Sequence, residues 1–432
     1  MGELPEQFVS SGREYFQQAL SDHNICGSSC KELQAFSNKS TMRILHVINS
    51  VDPRSGGPVY AIRHLLEEQL RRGYALHLIT TDMQAGVGGT PRAQFRQRVF
   101  ADDVWHQVGL TMARSLGRGR PWNHLGFTPV ARRIIEKAIE ELDPELLHVH
   151  GVFGWITSAA CRVAYRHRIP FILEPYGAYD PPCLWSHFWP LKWLWHALWG
   201  RWELRHSATI KVASEYEAKP FRKSKNLNHK ITVIPYGVTL SVDMSDGKPN
   251  YPLVCFISRI TKKKRPEWVV AACEMLRNEF PTLKVVIAGS DDGHRKFLED
   301  FIRRKRAETW VEVHDFVEGD AKKELLRQAS VLVLPSRDES FGAIVLEALA
   351  AGIPAVVTPG VAAGEHVIRS GCGLLVEDTV QHVAEGICAI LKSDRAALGR
   401  RGREYVKRHL TWRAVADELE AVYRKVGQCR KA

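Results

Sequence analysis

Strand-length apolar runs alternate with amphipathic runs along most of this chain, and the alternation occurs twice. The first round begins abruptly at "MRILHVINS". It continues through "GGPVYAIRHLLEEQLRRG", "ALHLITT", "TPVARRIIEKAIEEL", "LLHVHG", a helical stretch over 156–166, "PFILEPYG", "ATIKVAS" and "KITVIPYG". A polar, turn-rich break follows, "VTLSVDMSDGKPNYP";. The alternation then restarts with "LVCFISR", "PEWVVAACEMLRNEF", "KVVIAGS" and "VEVHDFV", and runs on to about Val426. Short strands separated by helices make parallel sheets covered on both faces, because a parallel pair needs a long crossover that a helix fills. The pattern predicts an α/β protein with two doubly wound, Rossmann-like domains facing a cleft. Ligands of open α/β sheets bind at the carboxyl ends of the strands. The expected boundaries are 42–240 for the first domain, 241–410 for the second and 411–432 for a closing helix. Residues 1–41 show weak periodicity and end in the loop composition "SNKST". They are expected to be a poorly ordered extension, with one short helix around Glu14–Leu20;.

Composition narrows the partners. No run approaches the ~18 uninterrupted apolar residues of a membrane span. The opening "MGELPEQFVSSGREYF" lacks a signal-peptide pattern;. Lys and Arg number 60 against 48 Asp and Glu, a formal charge of +12. That balance suits nucleotide phosphates, nucleic acid or an anionic membrane face. Nine cysteines, an odd number, argue against a full disulfide set;. Cys161, Cys255, Cys273 and Cys388 sit in apolar runs and read as core. Cys26 and Cys30 have no second pair nearby to complete a zinc site;. A reducing, cytoplasmic setting is expected.

One stretch places acids where a buried helix has no structural use for them: "SRDESFGAIVLEALAAGIPAVVTPG", Ser336–Gly360. The strand "VLVLP" leads into a loop carrying Glu339, and a helix begins near Phe341–Gly342. Helix-start amides attract anions, and a glycine there lets a ligand approach the backbone. Glu347 lies further along the helix. A ligand with hydroxyls at both ends and phosphates between them fits this layout, and a nucleotide sugar has that form. The alternative is a capping Glu339 and a solvated Glu347.

"ESFGAIVLE", extended by "LVLPSRDESFG" and "EALAAGIPAVVT", resembles the E-x7-E motif of retaining glycosyltransferases of family 4, which have the GT-B fold. The resemblance implies that Glu339 contacts the donor sugar and steadies charge at the anomeric centre. It implies that Glu347 binds the ribose hydroxyls, and that Ser340, Phe341, Gly342 and Ala343 meet the sugar and phosphates. "FISRITKKKRPEWVVAA" resembles the family's diphosphate-binding loop and places Arg259 and Lys264 on its cationic pair. Fixed cations there would meet the charge developing on a nucleoside diphosphate leaving group. The family's glycine after the lysine is Arg265 here. "VHDFVEGDAKKELLRQA" resembles the base-binding segment, with Val317 in its loop, and Gly289 in "VVIAGSDDG" matches a strand end beside the donor pocket. Gly56 and Gly57 match the family's glycine loop after the first strand; no G-x-G-x-x-G dinucleotide fingerprint follows that strand.

"LLHVHG" places His148 and His150 on one face of a strand;. No third ligand is spaced to complete a zinc site. The resemblance puts His150 beside the cleft as a functional group near the reacting sugar, while His148 reads as packed or partnered. No D-x-D triad occurs in the chain, so no metal is expected to serve the diphosphate. No cofactor is expected beyond the nucleotide diphosphate sugar that would be a substrate.

"CLWSHFWPLKWLWHALWGRWELRH" carries six of the twelve tryptophans, with Lys192, Arg201 and Arg205 among them. Two readings stand side by side: membrane-surface contact through 184–206 at the inner face, or a helix packed in the core. Nucleic acid is not expected as a partner. The resemblance covers about Met42 to Val426 and implies a retaining hexosyltransferase. Such an enzyme would move a sugar from a nucleotide diphosphate sugar to a saccharide or lipid-linked acceptor, in polysaccharide or glycolipid biosynthesis. It also implies that the closing helix returns to the first domain. The alternatives are a nucleotide-sugar epimerase of the same fold and a non-catalytic sugar-nucleotide-binding protein at a membrane.

Overall fold

The computed structural model describes residues 42–51, 57–81, 108–113, 128–179, 189–240 and 249–431. The extension over 1–41, Cys26, Cys30, Gly56 and most of the polar break lie outside the described residues.

Seven strands form the first sheet: β1 (Arg43–Ile48), β2 (Ala75–Thr81), β3 (Gly109–Ala113), β4 (Leu146–His150), β5 (Phe171–Glu174), β6 (Thr209–Val212) and β7 (Ile231–Val233). Their order is β3-β2-β1-β4-β5-β6-β7. Six form the second: β8 (Leu253–Ile257), β9 (Lys284–Ala288), β10 (Val311–His314), β11 (Val331–Leu334), β12 (Ala355–Val357) and β13 (Gly373–Leu375), in the order β10-β9-β8-β11-β12-β13. The pairings are parallel throughout. The expected pair of doubly wound sheets is therefore present.

The central strands of the second sheet carry no polar–apolar alternation because both of their faces are covered;. In β8 and β11 every residue is buried. Each sheet sits in its own apolar core, one around Val47, Ile79, Val149 and Leu173, the other around Cys255, Ile287, Val333 and Val356.

Both sheets reverse their winding at one place, between β1 and β4 in the first and between β8 and β11 in the second. Helices leave opposite faces there, which opens a crevice at the carboxyl ends of those strands. The residues following β1, β4, β8 and β11 include most of the site residues expected from the sequence. The helices around this crevice are α1 (Gly57–Arg71), α2 (Glu215–Arg222), α3 (Pro266–Leu276), α4 (Gly319–Gln328) and α5 (Ala343–Ala350).

The last helix, α6 (Trp412–Lys431), leaves the second domain and packs on α1 of the first. Arg72 ties α1 to Asp417 at 2.8 Å and to Glu420 at 2.9 Å, and Gln69 donates to the Tyr423 hydroxyl at 3.1 Å. The two chain crossings between the domains run side by side. The Val238 N–H donates to the Leu410 carbonyl at 2.8 Å, and Gly237 lies against Trp412.

Candidate active site

The loop after β11 is fixed by its backbone. Thr358 Oγ1 donates to the Ser336 carbonyl at 2.8 Å, the Glu339 N–H donates to the Gly360 carbonyl at 2.8 Å, and the Glu339 carbonyl accepts from Ala362 at 3.0 Å. Two strand-end loops thus hold one another, and Glu339 is carried on the seam. The chain then turns through Gly342 at φ +85°, a left-handed conformation that glycine adopts freely, and Ala343 begins α5;. Ser340 and Ala343 are half-buried, and Phe341 is buried with its ring edge-on to Tyr236, 4.6 Å between centroids. The first domain grips the same loop. Ser214 Oγ donates to the Ser340 carbonyl at 3.0 Å, and the Tyr216 hydroxyl donates to Asp338 at 3.1 Å.

The basic loop after β8 lies against this one. The Arg337 N–H donates to the Lys263 carbonyl at 2.8 Å. Lys263 pairs with Asp338 at 3.4 Å, and Lys264 pairs with Glu339. Of three successive lysines, the last is therefore the one aimed at the candidate catalytic carboxylate. Its side chain is only 5% exposed. Burial, with Lys263 and Arg259 adding to it, pushes its ammonium down to about 7, and Asp338 pulls the other way. Arg259 reaches across to Asp292 at 2.9 Å and stays exposed. Arg265, where the family's glycine was expected, takes the left-handed conformation such a glycine would take, φ +53°. For an arginine that conformation is strained by about 1–2 kcal/mol. An ion pair with Asp378 and stacking on Trp268, 4.2 Å from its ring centroid, hold it there.

Glu347, one turn into α5, pairs with Lys322 of α4 at 2.6 Å;. Val317 is half-buried in the loop after β10, and its neighbour Phe316 is exposed. Gly289 follows β9 so close to the chain after β8 that a Cβ there would lie 1.9 Å from the Ser258 carbonyl oxygen. Its place beside the pocket is thus a packing requirement between two strand ends. Gly57 opens α1 and is exposed; Gly56 lies outside the described residues.

The first-domain side holds a buried polar network. His150 ends β4. It is 1% exposed, its Nε2 meets His46 Nδ1 at 3.0 Å, and its Nδ1 meets the Tyr176 hydroxyl at 2.8 Å. His150 is thus a ring inside a buried polar network. The cause lies in the neighbouring strands, which bring polar partners the spacing could not show. His148 is partnered, as read, meeting the Tyr423 hydroxyl of α6 at 2.8 Å and Glu174 Oε2 at 3.2 Å. Glu174 and Lys211, both buried, form an ion pair at the centre. Burial works to raise the Glu174 carboxyl, but Lys211 and the two histidines hold it well below its usual range. Burial pushes His148 down to about 4 and His150 to about 3, so both rings are neutral at pH 7. Tyr176, at φ +54°, is a strained non-glycine residue held inside this network;.

A third histidine does exist: His46 of β1 is in register with His148 of β4, and nitrogens of the three rings lie within 4.8 Å of one another. The expectation that no third ring is available is thereby corrected, since strand register rather than sequence spacing supplies it. Their nitrogens are turned toward one another, Tyr176, Tyr423 and Glu174. A divalent ion would also have to sit near the Lys211 ammonium, which opposes it. The sequence did hold a signal for the ion pair. A lone Glu inside "FILEP" and a lone Lys inside "TIKVA" fall on adjacent strands, where β5 and β6 pair Leu173 with Ile210 one position earlier.

The tryptophan-rich stretch divides between its two readings. It forms a helix over Trp189–Trp195, a π-helical turn over His196–Gly200 and a helix over Arg201–His206. Trp195 is buried against Trp199 and Trp155, while Trp189, Trp193, Leu194 and Leu198 are exposed. Residues 184–188 lie outside the described residues. Among the described residues, no helix is long and apolar enough to cross a membrane.

Comparison with known proteins adds the family. Residues 244–405 match the family described as glycosyl transferases group 1, and residues 56–237 match the glycosyl transferase 4-like domain. An uncharacterized glycosyltransferase of Methanocaldococcus jannaschii is 32% identical over 176 residues, 40% of this chain and 44% of that protein. A D-inositol 3-phosphate glycosyltransferase of Kineococcus radiotolerans is 30% identical over 236 residues, 47% of this chain and 53% of that protein. The chain thus spans about half the length of these curated relatives. Anabaena HepE, crystallised with UDP and glucose, superposes with a TM-score of 0.69 at 16% identity, over 89% of this chain and 100% of that one. At that identity the superposition shows the fold, GT-B.

Proposed function

This chain belongs to the group 1 glycosyl transferases, and from that premise we propose that it moves a hexose-type sugar from a nucleoside diphosphate sugar to a saccharide or lipid-linked acceptor, with retention at the anomeric carbon. The observation that carries the reading is the pairing of Lys264 with Glu339 at the start of α5. A buried cation, helix-start amides and a carboxylate on a rigid seam meet at one point, as an anionic leaving group joined to a hydroxylated ring requires. On donor binding, Lys264 and Arg259 turn to the diphosphate, Glu339 to the sugar and Glu347 to the ribose. Gly342, with Ser340, Phe341 and Ala343, lets the ligand lie along the backbone, Val317 borders the base, and Gly57 faces the phosphates from the first domain. The leaving group's charge is met by these groups without a metal. No side chain is assigned as a covalent nucleophile; acceptor and leaving group share one face of the sugar.

HepE was crystallised with UDP and glucose, which supports a nucleoside diphosphate hexose as donor here. The exposed Trp189, Trp193, Leu194 and Leu198, with Lys192 beside them, support docking at an anionic membrane face where a lipid-linked acceptor would lie;. The work would belong to polysaccharide or glycolipid synthesis. A thermal-shift screen of UDP-, GDP- and ADP-sugars identifies the donor, since a ligand of the native state raises the melting temperature. Release of the nucleoside diphosphate that rises on adding acceptor, with the α-anomer formed from an α-donor by NMR, is the expected result. Acceptor-independent release with sugar inversion at another carbon would point to an epimerase instead.

A further inference from the structure

Glu347 does not stand alone on α5. Lys322 Nζ, from α4, lies 2.6 Å from Glu347 Oε2, and the two side chains are 25% and 15% exposed. The next lysine along, Lys323, behaves as a solvated helix residue and pairs with Asp320 three positions earlier at 2.9 Å. Lys322 instead turns off its own helix to a half-covered carboxylate on another. Tyr60, from the first turn of α1 in the other domain, closes the same spot. Its ring centroid is 5.7 Å from Lys322 Nζ, and its phenol is pushed up to about 12 by burial and then by Glu347. Three helices from two domains thus converge on one carboxylate.

We propose that Lys322 is a positioning residue of the nucleotide site. It holds one oxygen of Glu347 so that the other is aimed at the ribose hydroxyls, and its charge offsets the carboxylate so that a nucleoside diphosphate can dock alongside. The proposal rests on the reading of Glu347 as the ribose ligand. A carboxylate offers about four acceptor positions, so one given to an ammonium leaves enough for a vicinal diol. A carboxylate without that counter-charge would repel the approaching diphosphate and be free to rotate away from the sugar.

The experiment is calorimetric titration of the full chain with UDP, GDP and ADP, and then with the 2′-deoxy analogue of the one that binds. It is run on the native protein and on Lys322→Met, Lys322→Arg and Glu347→Gln, each first checked for an unchanged melting temperature. The native protein should prefer the ribonucleotide by about tenfold or more, the worth of a hydrogen bond to a charged group. Glu347→Gln should remove that preference. Lys322→Met should cut it to about threefold or less and weaken the ribonucleotide, while Lys322→Arg keeps most of it. Full ribose preference in Lys322→Met overturns the proposal. Tighter binding in that variant also overturns it, because Lys322 would then be competing with ribose for Glu347. An undiminished preference in Glu347→Gln would instead sink the ribose assignment beneath it.

Discussion

Glu339 and Lys264 are two halves of one ion pair, so replacing either changes the charge seen by the other. Glu339→Gln keeps the shape and removes the charge that would face the anomeric centre. Loss of one preorganised electrostatic group of this kind costs about 10²–10³ in turnover. The expectation is therefore a fall of that size in kcat with a smaller change in donor KM, measured by initial-rate kinetics. A kcat within a fewfold of native would remove Glu339 from the chemistry. Gly342→Ala acts differently, because its cost is in the backbone: φ +85° is strained for alanine, and its Cβ would lie 3.1 Å from Val361. Donor binding should weaken, and stability should fall by about 1–2 kcal/mol in a urea titration.

The network beneath β4 belongs to strands rather than to single residues. β1 brings His46, β4 brings His148 and His150, β5 brings Glu174 and β6 brings Lys211, with Tyr423 reaching in from α6. Breaking a buried ion pair on one side leaves the other charge uncompensated. Glu174→Gln is expected to destabilise by about 3–5 kcal/mol, and the double variant Glu174→Gln/Lys211→Met should recover much of that loss. No recovery in denaturant titrations would argue that the pair is not a unit. The same network sets a pH dependence. Folded His148 and His150 titrate near 4 and 3, against 6.5 in the unfolded chain. Between pH 6.5 and about 4 the unfolded chain holds more protons, so stability present above pH 6.5 is lost as the pH falls. The slope is up to about 1.4 kcal/mol per pH unit for each histidine. Glu174, also depressed, adds a loss of the same sign below about pH 4.5, the usual range of its unfolded form;. Denaturant titrations at pH 7.5 and 5.5 should show the lower stability at 5.5, and His148→Asn should flatten the difference.

The molecule as a whole depends on two adjacent crossings. Gly237 admits no side chain: a Cβ there would lie 2.7 Å from the Trp412 Cα and 2.5 Å from its ring. Overpacking at such a site costs about 1–3 kcal/mol. Gly237→Ala should lower the melting temperature, and it should also weaken donor binding, because the same crossing sets α6 against α1. A variant that loses stability yet binds nucleotide normally would show that the crossing only staples the domains. Ser214 and Tyr216 add contacts from the first domain to the donor loop of the second, so the described arrangement already has the loop engaged from both sides.

Two doubly wound domains, the cleft at their strand ends and the acids before and within α5 were all legible in the sequence. Each is written in local order: apolar runs of strand length, a turn-rich break, a glycine at a helix start, and carboxylates at fixed spacing across that start. Which lysine of three meets Glu339, the partner of Glu347 and the burial of His150 were decided only by tertiary structure. Those depend on register between parallel strands and on the approach of helices far apart in the chain, as when β1 sets His46 beside His148 across about a hundred residues. The spacing of His148 and His150 told that they share a face. Only the neighbouring strands, with a buried glutamate and lysine on them, determined that the face looks inward.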